Sequence, residues 1–406
     1  MRSTAKLLLP LLALLLLAIA PARADVANAP GANLEVSLIT YGPGATYWER
    51  FGHDALQLRD TASGQAVNFN YGVFDFNEKN FFLNFARGRM HYLMDAEYAE
   101  PEEAFYVQEG RSIVRQRLAF TPQQAAALRD FLFWNLRPEN AGYDYDYYVD
   151  NCTTRVRDAL DKALDGVIHA ALAGHPGGMS YRQQTDRLMS AQPWLMLALD
   201  LGLGPYADQP LDAWHESFLP GELQASLRAV TVDDGHGDTR PLVQEERELA
   251  PNRLDAPPAQ APDLRLPLGA AGLLLAALLL ATGRRWRPGF ALLGSLYLLA
   301  AGLVGLLLLA LWTLTSHHSA WANANLLLFN PLAFALLPAL WRGTRPGRAV
   351  DTLIVLQLLA LLAAVLLHLL PGTVQQNQPW ILFAMPVWLA LAWGLRQFRP
   401  NPPRHP

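Results

Sequence analysis

Cys152 is the only cysteine in 406 residues, and its neighbours give a thiol chemistry to do. In "YDYDYYVDNCTTRVRDAL" (143–160), Asp150 or Asn151 can cap a helix, and Val156, Ala159, Leu160 and Leu164 supply its apolar face. The spacing predicts Cys152 in the first turn, where free backbone N–H groups and the positive end of the helix dipole stabilise a thiolate. Arg155 and Arg157 add positive charge, or else pair with Asp158 and Asp161. A thiolate nucleophile needs a base. Of the ten histidines, His53 is the first choice, because it opens an expected strand directly after a Gly-rich aromatic loop; His91 is the second. A third group should orient the imidazole. Asn70 on the next strand is the candidate, with Asn68 and Asp75 as further options. Each residue also has a plain alternative: an inert buried cysteine, a structural histidine, a strand-edge asparagine. No His, Cys, Asp or Glu grouping has metal-ligand spacing, and neither metal nor cofactor is expected.

Several elements must position these residues. "NLEVSLITY" (33–41), "HDALQLRD" (53–60) and "QAVNFNYGVF" (65–74) read as strands, the last two joined by a turn at "TASG". In the third, Val67, Phe69 and Tyr71 share one face, and Asn68, Asn70 and Gly72 the other. "NEKNFFLNFARGRMHYLM" (77–94) suggests a short helix and then a strand, and "SIVRQRLAF" (112–120) a strand. "TPQQAAALRDFLFWNL" (121–136) predicts a helix capped by Thr121 with Pro122 in its first turn. Further helices are expected at 180–192, 194–202 and 220–228. Residues 232–263 read as a hairpin or loop and then a linker.

The two ends of the chain place this domain outside the cytoplasm. Residues 1–24 have a basic start, an apolar run and Ala22-Arg23-Ala24, the layout of a cleaved signal peptide; an uncleaved anchor is the alternative. Five apolar stretches near 266–282, 290–314, 322–341, 352–370 and 379–395 approach or reach membrane-spanning length. The third is weakest, interrupted by Asn330, Pro331 and Pro338. From residue 266 onward there are nine arginines and one acidic residue, Asp351. The arginines fall in three clusters (284, 285, 287; 342, 345, 348; 396, 399, 404), separated by "TSHHSAWANAN" and "PGTVQQNQP", which lack Lys and Arg. Five spans starting outside put every cluster in the cytoplasm, whereas four or six would not. Between residues 25 and 265, 35 acidic residues face 20 basic ones. That excludes the basic surface a nucleic-acid partner needs.

A histidine on one strand, a polar residue on the next and a cysteine at a helix start resemble the papain-like set in permuted chain order, as in the NlpC/P60 superfamily and its lecithin:retinol acyltransferase-like branch. A closer resemblance runs along nearly the whole chain. "YWERFGHDALQLRD", "NFNYGVFDF", "YDYDYYVDNCTTRVRDAL" and "FLP" (218–220), followed by multiple spans, are similar to the Lnb family. This resemblance implies an α+β, permuted papain-like extracytoplasmic domain followed by an all-α membrane domain of about five helices. The expected layout is a signal peptide at 1–24, a periplasmic thiol domain at 25–250, a linker at 251–264, a membrane domain at 265–398 and a cytoplasmic tail at 399–406. The implied activity moves a fatty acyl group from a membrane phospholipid, through a Cys152 thioester, to the N-terminal amine of a lipoprotein at the bacterial inner membrane. Cys152 carries over as nucleophile, His53 as base and Asn70 as orienting residue; Trp48, Tyr148 and Asn151 are expected to contact substrate. The alternatives are a cell-wall peptide amidase or endopeptidase using the same nucleophile, and a non-catalytic envelope-binding module with Cys152 in its core. The apolar run "PWLMLALDLGLG" (193–204) could touch lipid or form an ordinary core helix.

Overall fold

The computed structural model describes residues 25–233, 237–342, 347–370 and 375–397. The expected signal peptide (1–24) and cytoplasmic tail (399–406) lie outside these residues. The chain divides into two compact units. One gathers residues up to Phe74, His91–His175 and Ser217–Leu254; the other gathers Asp75–Met90, Pro176–Glu216 and everything from Asp255.

The first unit is built on a seven-stranded sheet. Its strands are β1 (Leu34–Tyr41), β2 (His53–Asp60), β3 (Ala66–Val73), β4 (Met90–Tyr98), β5 (Ile113–Leu118), β6 (Gly142–Tyr145) and, after the separate two-stranded ribbon of β7 (Thr231–Asp233) and β8 (Thr239–Pro241), β9 (Val243–Ala250). The order is β6-β4-β3-β2-β1-β5-β9. Register is fixed where apolar residues meet: Leu38 pairs with Leu56, and Leu56 with Phe69. These side chains are fully buried, and each contributes on the order of 1.5–3 kcal/mol by leaving water. The helix Pro122–Asn135 packs on that face: Phe133 meets the Phe69 ring edge-on, and the Tyr71 hydroxyl donates to Asn135 Oδ1 at 2.8 Å. Its start carries a capping box of Thr121 and Gln124. The helix Ala99–Gln108 lies on the opposite face, where Glu102 and Glu103 reach the Asn70 and Gln57 side chains.

The helix at 99–108 and the strand β9 depart from the expectations. Helix 99–108 was not anticipated, because "AEPEEAFYVQ" carries no helical apolar stripe and contains Pro101. Its signals were the acidic residues Glu100 and Glu102 in the first turn, which suit the helix dipole. Strand β9, "VQEERELA", runs through a region expected to be hairpin or loop; it extends the main sheet beside β5. Its charged side chains suit a sheet edge.

Among its described residues, the second unit has five segments long and apolar enough to cross a membrane: Arg265–Arg285, Arg287–Leu314, His318–Trp341, Arg348–Leu367 and Gln378–Arg396. The third is not a continuous α-helix. Short 3-10 turns at His318–Ala320, Ala324–Leu327 and Pro331–Leu336 lead into the α-helix Leu337–Trp341. Pro331 and Pro338 lack the N–H that continuous helical bonding requires. The helix Pro193–Gly202 belongs to this unit, and its Leu197 and Leu201 pack against the core of the spans.

Candidate active site

The helix Cys152–Ala163 begins at the cysteine itself. Asn151 is its cap: Oδ1 accepts from the Thr154 amide at 2.9 Å, and the Asn151 amide donates to Thr154 Oγ1 at 2.7 Å. The Asn151 side-chain nitrogen donates to the carbonyls of Tyr147 and Phe218. Asn151 therefore holds the Cys152 turn in place, with both ends of its amide occupied. Tyr148 is buried against Phe218, their rings 5.5 Å apart, and so supports the same turn. Trp48 is half exposed and packs edge-on against Tyr47.

The Cys152 sulfur lies 3.8 Å from Thr153 Oγ1, and the backbone N–H groups of Asp54, Thr153 and Cys152 nearby favour its charged form. Asp54 follows His53 in β2, so the thiol lies beside the strand that opens on the expected base. Burial nevertheless pushes the thiol above its ordinary value, against the pull of these amides and of the Thr153 hydroxyl. The same desolvation lowers the His53 imidazole. The resting pair is thus a neutral thiol and a neutral imidazole, not the thiolate expected from the helix end alone. Desolvating a charge outweighs the few oriented amides that favour it.

His53 Nε2 lies 2.9 Å from Asn70 Oδ1, and Asn70 Nδ2 donates to Glu102 Oε2 at 2.8 Å. A carboxylate only accepts, so Glu102 fixes the asparagine amide with its oxygen towards histidine. His53 then carries its proton on Nε2, and Nδ1 is left as the basic nitrogen. The ring is stacked with Tyr41 and Tyr106, which are themselves 3.6 Å apart, and Arg111 caps the Tyr106 face at 4.5 Å. Asn68 is used elsewhere, donating to the Tyr41 hydroxyl and accepting from Gln57. Asp75 accepts from Asn77 in an exposed loop. His91 is exposed, with Nδ1 3.9 Å from Asp144. The geometry therefore singles out Asn70 as the histidine's partner.

Gly72 is required beside the thiol. Its φ of +92° suits only glycine, and a Cβ there would stand 3.5 Å from the Cys152 Cβ and 3.9 Å from the Tyr143 hydroxyl. A bulge in the β3–β4 ladder falls at this residue. Arg155 does not face the sulfur: it pairs with Asp150, Nη2 to Oδ2 at 2.7 Å, and lies over the Tyr143 ring at 4.1 Å. Arg157 pairs with Asp158 at 2.8 Å. Among the described residues, no three His, Cys, Asp or Glu side chains are grouped to hold a metal ion.

Sequence reasoning missed Glu102 and Asp54. Glu102 sits on the unanticipated helix. Asp54 is fully buried and accepts from Thr40 Oγ1 at 2.9 Å; burial, then the facing Cys152, push its carboxyl up to about 7. The folded state therefore keeps a proton that the unfolded chain has released above about pH 4. Stability falls as pH rises from about 4 to 7, then stays reduced, by on the order of 4 kcal/mol. Asp54→Asn should match the wild type near pH 4 and exceed it above pH 7 in denaturant titrations. Equal pH dependence in both proteins would show that Asp54 is not held protonated.

Residues 23–186 match the Lnb N-terminal periplasmic domain, and residues 260–398 match the Lnb transmembrane domain. No curated protein and no solved structure matches the chain.

Proposed function

Because the chain belongs to the Lnb family, with a periplasmic domain and a multi-pass membrane domain, we propose that it is a thiol acyltransferase that acylates lipoproteins. The carrying observation is the lone cysteine at a capped helix start that packs on β2, the strand opening on an imidazole bonded to Asn70 and through it to Glu102. The fold of the first unit is proposed to be the permuted papain-like one.

His53 Nδ1 takes the Cys152 proton as sulfur attacks an ester carbonyl of a membrane phospholipid. The S–C bond forms, and N–H groups at the helix start stabilise the oxyanion. The C–O bond to glycerol breaks, and the departing oxygen takes the proton from His53, leaving a thioester and a lysophospholipid. The uncharged N-terminal amine of a lipoprotein then attacks the thioester. The C–N bond forms, the C–S bond breaks, and the amine's surplus proton returns through His53 to sulfur. The product is an amide and the free thiol is restored. Trp48, half exposed, is proposed to line the acyl path.

Placement in the bacterial inner membrane with a cytoplasmic C-terminus belongs to the same proposal. It is supported by the loops around 316 and 375, both free of Lys and Arg. Ser316 donates to the Arg87 carbonyl, and Gln375 donates to the Leu203 carbonyl, so both loops bond segments of the N-terminal two-thirds of the chain. This agrees with five spans starting outside.

The test is mass spectrometry of the Cys152 peptide from protein purified without hydroxylamine and supplied with phospholipid but no acceptor. A fatty-acyl adduct that hydroxylamine removes is expected. A consistently unmodified Cys152 would overturn acyl transfer and favour cell-wall peptide hydrolysis or a binding role.

A further inference from the structure

The segment between β3 and β4 carries more exposed aromatic surface than water tolerates without reason. In "EKNFFLNFARGR" (78–89), the short helix Phe81–Ala86 exposes Phe82, Leu83 and Phe85, at 74%, 47% and 42%. Phe76, just before it, is also exposed. Phe81 is buried beneath them, its ring 5.2 Å from Phe76 and 5.4 Å from Phe82, so the exposed rings stand on a packed base. Lys79, Arg87 and Arg89 flank the apolar residues and are exposed.

This helix is tied to the outer end of a membrane span. The span Arg287–Leu314 ends two residues before Ser316, whose amide donates to the Arg87 carbonyl at 2.8 Å. His317 Nε2 lies 3.1 Å from the Phe85 carbonyl oxygen. Gly88 lets the two backbones touch: a Cβ there would stand 2.8 Å from the His317 nitrogen, and its φ is +70°. Trp312 and Trp321, both partly exposed, lie at the same end of the span. Tryptophans of this kind mark the membrane–water boundary, and cations beside an apolar face meet lipid phosphates there.

We propose that Phe82, Leu83 and Phe85 are embedded in the outer surface of the lipid leaflet, with Lys79, Arg87 and Arg89 against phospholipid headgroups. The bonds from the Ser316 amide and the His317 ring fix the helix at that depth, independently of any chemistry at Cys152. The occupant is the bilayer around the span, since the helix is bonded to residues just past the span's exposed end at Trp312 and Leu314.

The test uses the full chain with Cys152→Ser, reconstituted in phosphatidylglycerol-containing vesicles. Spin labels are placed at Phe82→Cys, at Phe85→Cys and, as a water-exposed control, at Ser63→Cys. The expected result is preferential collision of the first two labels with oxygen over a water-soluble nickel chelate, at a depth of roughly 5–10 Å below the phosphates, and the reverse at Ser63. Shielding from both reagents would mean a protein partner or second copy covers the face, and water-like access would mean nothing does; either result overturns the proposal. Arg87→Glu with Arg89→Glu should raise the Phe82 label towards water. An unchanged depth would overturn the role given to the arginines. The two positions are read separately, so one variant that fails to fold leaves the other to decide.

Discussion

His53→Ala should slow formation of the Cys152 thioester by about 10²–10⁴-fold, the range removed with a general base. The reason lies in the resting state of the pair. Burial raises the thiol and lowers the imidazole, so proton transfer has to accompany attack. Without His53 the raised thiol loses the imidazole as its proton acceptor. Cys152→Ala should remove the adduct altogether. Asn70→Ala should cost less, because it frees the imidazole to turn without deleting it, and its rate loss should change with pH as the tautomer is lost. The measurement is the rate of adduct appearance by mass spectrometry with a defined phospholipid across pH 6–9. Wild-type rates in His53→Ala would remove histidine from the mechanism, and equal losses across pH in Asn70→Ala would make Asn70 merely structural.

Arg182→Met should destabilise the second unit by about 3–5 kcal/mol, the usual cost of stranding buried partners of an ion pair. Arg182, Asp200 and Asp208 have side chains only 3%, 3% and 1% exposed. The guanidinium donates Nε to Asp208 Oδ1 at 2.7 Å, Nη1 to Asp200 Oδ1 at 2.8 Å and Nη2 to the Leu203 carbonyl at 2.8 Å. Trp380 Nε1 donates to Asp200 Oδ2 at 2.7 Å, and the Gln376 amide donates to Asp208 Oδ2 at 3.1 Å. This cluster ties segment 176–216 to the residues that open the last span. Asp186 beside it is pushed up to about 8 by burial and then by Asp200. Arg182→Lys should recover little, since an ammonium cannot bridge both aspartates and the carbonyl in one plane. Adding Asp200→Asn and Asp208→Asn to Arg182→Met should restore part of the loss. Thermal unfolding in detergent checks this, and an Arg182→Met protein as stable as the wild type would show that the cluster contributes nothing net.

Much of the candidate site was legible because its signals are local. The turn at "TASG" and the alternation on each side of it predict β2 and β3, and the structure places them at His53–Asp60 and Ala66–Val73. Asn151 before an amphipathic run predicts a capped helix with Cys152 at its start, and that is where the helix begins. The spans and the arginine clusters follow from composition alone. Helix 99–108 was not legible, because its residues are chosen for contacts with β3 and the histidine rather than for an apolar stripe. Glu102 and Tyr106 were missed with it.

The sequence by itself determined which groups exist and which local turn each occupies: a thiol at a helix start, an imidazole at a strand start and five apolar segments. Only the tertiary structure decided their chemical state. The helix end by itself argued for a thiolate, yet the packed site desolvates Cys152 and favours the thiol. Three side chains could have oriented His53, yet the sheet brings Asn70 to it and engages Asn68 with Gln57 and Tyr41. The physical reason is common to both. Desolvation and hydrogen-bond partners are set by what packs nearby in space, and here that is helix 99–108 and neighbouring strands, tens of residues away along the chain.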